Sequence, residues 1–140
     1  MVIQKNRLSI TKEGDFMVTI LLAIKPEFVE KIFNGQKKFE FRRRVPSANV
    51  DKIIIYATAP VKKVVGVARV REIISMSPND LWNVTHEFAG IGRGFFDSYF
   101  FGCDVAHAYV LENVQKYKQP RELSDFGIRA APQSFVYMDK

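Results

Sequence analysis

At Gly35 the sequence changes its period. Upstream, Phe28, Val29, Ile32 and Phe33 recur at helical spacing. Downstream, Lys38, Glu40, Arg42 and Arg44 alternate with Phe39, Phe41 and Val45, the period of two of a half-buried strand. A chain that switches period within so few residues has to lay a short helix against the strand that follows it. Pro26 sets the helix start at its first turn, with Glu27 and Glu30 near the positive end of the dipole. Asn34-Gly35 sets the stop, because glycine takes the left-handed C′ position without steric cost. A helix of about ten residues does not persist alone, so it needs a sheet to lie on. In the strand, the two phenylalanines are expected to face the core and the charged set to share the opposite face.

The rest of the chain supplies that sheet. Val18 to Ile24 reads as a strand rich in Ile, Leu and Val. Asp51 to Tyr56, with Ile53, Ile54 and Ile55 in succession, reads as a strand buried on both sides. Val64 to Ile74 is a longer strand, and Gly66 within it marks a bulge or a close backbone approach. Ser77-Pro78-x-Asp80 starts a helix, with Ser as N-cap, and Leu81, Trp82, Val84, Thr85 and Phe88 as its expected inner face. A second short helix runs from about Phe95 to Phe101, up to Gly102. Residues 105–115 return to strand, and Ser134 to Met138 close the chain with another. Strands outnumber helices and lack regular crossover helices, which predicts a mixed α+β fold built on a small β-barrel with short flanking helices. Residues 1–16 read as a loosely attached leader and 17–140 as the single domain expected of 140 residues.

Charge is concentrated in one part of this plan. Residues 37–63 hold eight Lys/Arg and two Asp/Glu, a net +6 that equals the formal charge of the whole chain. A focused positive field points to a polyanion or a phosphorylated ligand. No apolar run reaches the length of a membrane helix, and the N-terminus has no secretory signal pattern, so the cytoplasm is the expected location and no membrane partner is expected. Cys103 is the lone cysteine, and His86 and His107 have no Cys or acidic partner at ligand spacing, so no metal or cofactor is expected.

Within the basic stretch, Lys37, Glu40 and Arg42 carry the most chemistry. A carboxylate among bases can hold an arginine in a fixed orientation, and that arginine can fork onto a phosphate or a base edge. The alternative for this group is a solvated charged strand face. Arg44 adds to the repulsion of the Arg42-Arg43-Arg44 triplet, which an anion would relieve. Lys25, at the far end of the same helix, either reaches that cleft or caps the sheet edge. Lys62 and Lys63 extend the positive rim or lie in a solvated turn. Tyr56, at a strand end, either stacks on a base or belongs to the core. Ser124 and Asp125 either bind a ligand or make a turn of their own, and Phe126 beside them is a further stacking candidate.

These residues make the chain resemble the ASCH domain, a relative of the PUA-type RNA-binding modules. The resemblance is carried by Leu21-Leu22-Ala23-Ile24-Lys25-Pro26, by Gly35-x-Lys37-x-x-Glu40-x-Arg42, and by Ile55-Tyr56-Ala57-Thr58-Ala59-Pro60. Leu123-Ser124-Asp125-Phe126-Gly127-Ile128 and Ala131-Pro132-Gln133-Ser134-Phe135 are similar to longer members described as predicted transcriptional regulators. The resemblance implies a PUA-like β-barrel with a cleft lined by the glycine–lysine–glutamate–arginine motif, and RNA or a nucleotide-like ligand as partner. Some small members are similar to amidohydrolases of acetylated cytidine, with the lysine matching Lys37 as a catalytic residue. Their threonine falls on Glu40 here, a departure from that pattern, and Glu72 is the nearest match in order to their later glutamate. Other members look like ribonucleases. Three functions follow as expectations: an RNA-binding module in transcriptional or translational regulation, a small amidohydrolase or ribonuclease using Lys37, Glu40 and Glu72, or a domain that meets an acidic protein.

Overall fold

A computed structural model describes residues 17–138. The proposed leader, residues 1–16, lies outside the described residues. Strand β1 (Met17–Ile24) leads into helix α1 (Pro26–Phe33), then β2 (Phe39–Arg42), β3 (Asn49–Ala57) and β4 (Lys63–Met76). Helix α2 (Pro78–Thr85), a 3-10 turn at His86–Phe88 and helix α3 (Arg93–Tyr99) follow, then β5 (Ala106–Arg121), a 3-10 turn at Leu123–Phe126 and β6 (Phe135–Met138). No helix among the described residues is long and apolar enough to cross a membrane.

The strands form one sheet in the order β2-β5-β4-β3-β1-β6. β1 runs parallel to β3, and the other pairs are antiparallel. The expected barrel is therefore corrected: the sheet is open. β2 and β6 are its edges, four residues each, and they share no ladder. A barrel needs its two edges to exchange backbone hydrogen bonds. Counting strands along the sequence does not reveal whether they meet.

The core forms on both faces of β3. On one face Ile53 and Ile55 join Ile20, Leu22 and Ile24 of β1 and Val29 and Ile32 of α1. On the other, Ile54 and Tyr56 join Leu21 and Val64, covered by Tyr117, Leu123, Phe126, Ile128 and Val136. A third cluster sets Phe41 and Ala108 against Leu81, Phe96 and Phe100 of the helical segment. Ser77 caps α2 as its sequence predicts, its hydroxyl accepting from the Asp80 N–H. Val84 and Phe88 do not join Leu81 and Thr85 inside; both are exposed. Gly66 sits at register shifts with both neighbouring strands, where a Cβ would lie 2.4 Å from the Gln115 carbonyl oxygen and 2.7 Å from Phe33.

Candidate nucleotide-sized recess

The helix–strand junction builds the site. After α1 the chain turns at Gly35, whose φ of +87° is the left-handed value that only glycine adopts freely. Lys37 then bridges to Ala89, and the strand proper begins at Phe39. The Lys37 stem crosses directly over Gly90, where a Cβ would fall 2.6–2.9 Å from its Cβ, Cγ and Cδ. Gly90 also has a φ of +72°. Two glycines thus let a lysine stem pass into the protein rather than out to solvent.

Lys37 is 3% exposed and Glu40 is 5% exposed. The alternative of a solvated charged face therefore does not hold for Lys37 and Glu40. The Lys37 ammonium donates to the Ala89 carbonyl at 2.8 Å and approaches Glu40 Oε1 at 3.8 Å. It also lies over the rings of Phe41, at 4.8 Å, and Phe28, at 5.4 Å. Arg42 donates from Nε and Nη2 to Glu40 Oε2, at 3.2 and 2.8 Å, and from Nη2 to the Ala23 carbonyl at 2.8 Å. Glu40 Oε1 is buried and, among the described residues, has no hydrogen-bond partner. Burial holds the Lys37 pKa below its ordinary value; Glu40 opposes that shift, while Arg42 and Lys31 add to it. Tyr109, opposite Glu40 across the β2–β5 ladder, is fully buried, and burial pushes its phenol up to about 12.

These groups line a recess of about 450 Å³, within the size range of small-ligand sites. Its floor is Lys37, Glu40 and Arg42; Lys25 and Thr58 come from the ends of β1 and β3. Phe28, Phe41, Phe95 and Tyr99 wall one side, and Pro132 and Gln133 close the other. Phe95, 49% exposed, meets Phe28 edge-on at 5.6 Å. Arg43 is pinned outside, its Nε donating to the Tyr99 carbonyl and its guanidinium 4.2 Å from that ring.

Of the residues singled out from sequence, Lys25, Lys37, Glu40 and Arg42 come together here. Arg44 lies exposed beyond β2. Tyr56 is buried in the core beside Leu21 and Ala23 and does not line the recess. Lys62 and Ser124 line a separate depression. Lys63 is ion-paired with Glu122, and the Asp125 carboxylate caps the Glu122 N–H. Phe126 packs under the Arg121 guanidinium, 5.3 Å away. Glu72 is exposed on β4 beside Arg71. His107 bonds Ser75 through Nδ1 at 2.7 Å, and His86 leans on Trp82. Sequence reading gave no role to Phe95 and Tyr99, since an aromatic on a short helix reads as core, and named Gln133 only within the Ala131–Phe135 segment of the resemblance.

The ASCH domain family model matches residues 22–124. The ASCH domain-containing ribonuclease of Zymomonas mobilis subsp. mobilis is 35% identical over 125 residues, which are 86% of this chain and 84% of that protein. The crystal structure of ASCH from Zymomonas mobilis overlays with a TM-score of 0.80 at 32% identity, over 87% of this chain and 88% of the other. The large ribosomal subunit protein uL22 of Ureaplasma parvum serovar 3 is 28% identical over 128 residues. That alignment takes in 91% of this chain but 41% of the Ureaplasma protein, so the chain spans less than half of that relative's length. With the family model covering most of the sheet and the whole of the recess floor, the chain belongs to the ASCH domain family.

Proposed function

We propose that the recess binds one nucleotide of single-stranded RNA. The observation that carries this reading is the pairing of a fixed, buried Lys37–Glu40–Arg42 cluster with an aromatic wall in one cavity. Bases stack on aromatic side chains for about 1–3 kcal/mol each, whatever their sequence. Glu40 holds the Arg42 guanidinium in one orientation beside the recess through two bonds to Oε2. Lys25 and Arg42 supply positive charge for the sugar-phosphate. The test is RNA affinity across a salt series. Affinity is expected to fall as salt rises, with a slope of roughly −0.7 per neutralised phosphate. Negligible binding, or binding indifferent to salt, would refute it.

Lys37 favours a second reading, cleavage of the bound strand. Burial lowers the Lys37 pKa and so favours its neutral amine, the form that accepts protons. In that reaction the amine takes the proton of a ribose 2′-hydroxyl as its oxygen attacks the adjacent phosphorus. The P–O5′ bond breaks, water protonates the departing oxygen, and Arg42 balances the charge that gathers on the phosphate. A cyclic phosphate product formed by the native protein and not by Lys37→Met supports cleavage. Tight binding without product leaves the binding reading alone, and turnover of acetylated cytidine would point to an amidohydrolase instead. The Zymomonas relative named a ribonuclease supports testing cleavage first.

A further inference from the structure

A second depression, of about 540 Å³, opens beside the recess, and nothing proposed so far uses it. Lys62, Glu122, Ser124, Gly127 and Arg129 are among its lining residues. One turn divides the two hollows. Thr58 lines the recess, Lys62 lines the depression, and the Lys62 N–H donates to the Thr58 carbonyl at 3.4 Å. On the opposite bank Arg129 borders the depression and Pro132 borders the recess. Three residues of extended chain span at most about 11 Å. Neighbouring units of one polymer can therefore occupy both hollows.

The charges in the depression differ in kind from those around it. Lys63 is neutralised by Glu122, and Arg121 lies over Phe126. Lys62 and Arg129 are both exposed, and among the described residues neither makes an ion pair. Lys62 holds a left-handed backbone, φ 54°, at the turn that separates the hollows. The one carboxylate in the lining, Glu122, is already paired with Lys63, so Lys62 and Arg129 keep their charge at the rim, and an anion placed between them relieves their repulsion.

We infer that this depression holds the phosphate next to the nucleotide in the recess, so that the protein takes an oligonucleotide rather than a free nucleoside. The inference rests on the RNA reading of the recess. Lys62 and Arg129 contact the phosphodiester, and the Ser124 hydroxyl supplies a further donor. The recess selects a base, while the depression sets the strand's direction and the minimum length of the ligand.

The test compares the four free nucleosides with RNA trinucleotides methylated at each 2′-oxygen, which removes the internal nucleophile. Binding is measured over a salt series for the native protein and for a Lys62→Asn/Arg129→Gln variant. Asparagine is chosen because it tolerates the left-handed backbone at 62. Trinucleotide affinity is expected to drop about tenfold or more in the variant, and its salt slope to shrink by roughly 0.7, the share of one neutralised phosphate. Nucleoside binding is expected to stay unchanged. Trinucleotide affinity and slope that survive the double substitution would overturn the second site and leave the recess standing. Equal weakening of nucleosides and trinucleotides would also overturn it, since the effect would then not be local. A native protein that binds neither ligand would overturn both readings together.

Discussion

Lys37→Met tests whether burial or ion pairing governs the centre of the recess. Methionine keeps most of the stem's volume and removes the charge. The loss is one hydrogen bond to the Ala89 carbonyl, about 1 kcal/mol, the ammonium's contact with the Phe28 and Phe41 rings, about 1 kcal/mol, and its attraction to Glu40 Oε1 at 3.8 Å, which offsets part of the burial cost. The gain is release from desolvating a cation that is 3% exposed, a cost of several kcal/mol per ion. Glu40 keeps both bonds from Arg42. The variant should therefore be about 1–2 kcal/mol more stable than the native protein at neutral pH, although it loses the amine proposed as the base in cleavage. The pH dependence supplies a sharper check. Folding lowers the Lys37 pKa from 10.5, with burial as its largest cause. Between the folded value and 10.5 the unfolded chain holds more protons, so native stability rises with pH, by at most about 1.4 kcal/mol per unit. Below the folded value the full penalty applies; above 10.5 it is gone. The methionine variant has no such slope, so its advantage should shrink as pH approaches 10.5. Urea unfolding of both proteins at stepped pH measures this, and Tyr109 cancels in the difference. A native protein more stable than the variant at neutral pH, or an advantage that widens with pH, would mean that Glu40 outweighs burial. Arg42→Met is the contrast: it strips Glu40 Oε2 and the Ala23 carbonyl of their donors and should cost about 3–5 kcal/mol.

Two further substitutions probe the frame around the site. Gly66→Ala should destabilise by about 1–3 kcal/mol in urea unfolding, because the new methyl meets the Gln115 backbone oxygen at 2.4 Å where little can shift; an unchanged midpoint would refute the close approach. Tyr109→Phe removes a buried hydroxyl that lacks a partner among the described residues, so stability at neutral pH should hold or rise. The native phenol titrates at about 12 folded against 10.0 unfolded. Its contribution is therefore complete below pH 10 and is lost between 10 and 12, at about 1.4 kcal/mol per unit. Alkaline unfolding should show that loss in the native protein and not in the variant, and a marked destabilisation of Tyr109→Phe at neutral pH would show that the hydroxyl is bonded.

Much of the fold was legible because its signals are local. The switch of period at Gly35, the Ser77-Pro78 cap and the Gly66 bulge each depend on a few consecutive residues. The triple isoleucine of β3 correctly announced burial on both faces. What escaped depends on distant segments. Alternation assigned Glu40 and Arg42 to a single face, but only α3 and residues 132–133 turn that face into an interior. The same alternation gave no sign that Lys37 would pass under Gly90. Tyr56 was open to either role until the segment from Tyr117 to Val136 covered its side of β3. Val84 and Phe88 had helical spacing suited to an inner face, yet the α2 residues that turn inward are Leu81, Thr85 and, in part, Trp82.

The barrel expectation failed at the place where the site formed, and one geometry accounts for both. Edge strands leave backbone groups that need partners. Near the open seam, the Ala23 carbonyl at the end of β1 is bonded by the Arg42 side chain of β2, not by a strand. A guanidinium suits this position because its donors are set in a rigid fork, so it grips Glu40 and Ala23 together. A lysine would carry the same charge with no fork to hold both. A side chain reaching between strands leaves more space than a hydrogen-bonded ladder does, since paired strands lie about 4.8 Å apart. That space is lined by Phe28 and Phe95 on the helical side and by Gln133 on the approach to β6. Closing the sheet would satisfy the edges and fill the cavity. The open seam, the buried carboxylate and the recess are therefore a single feature, and a closed ladder here would leave no recess.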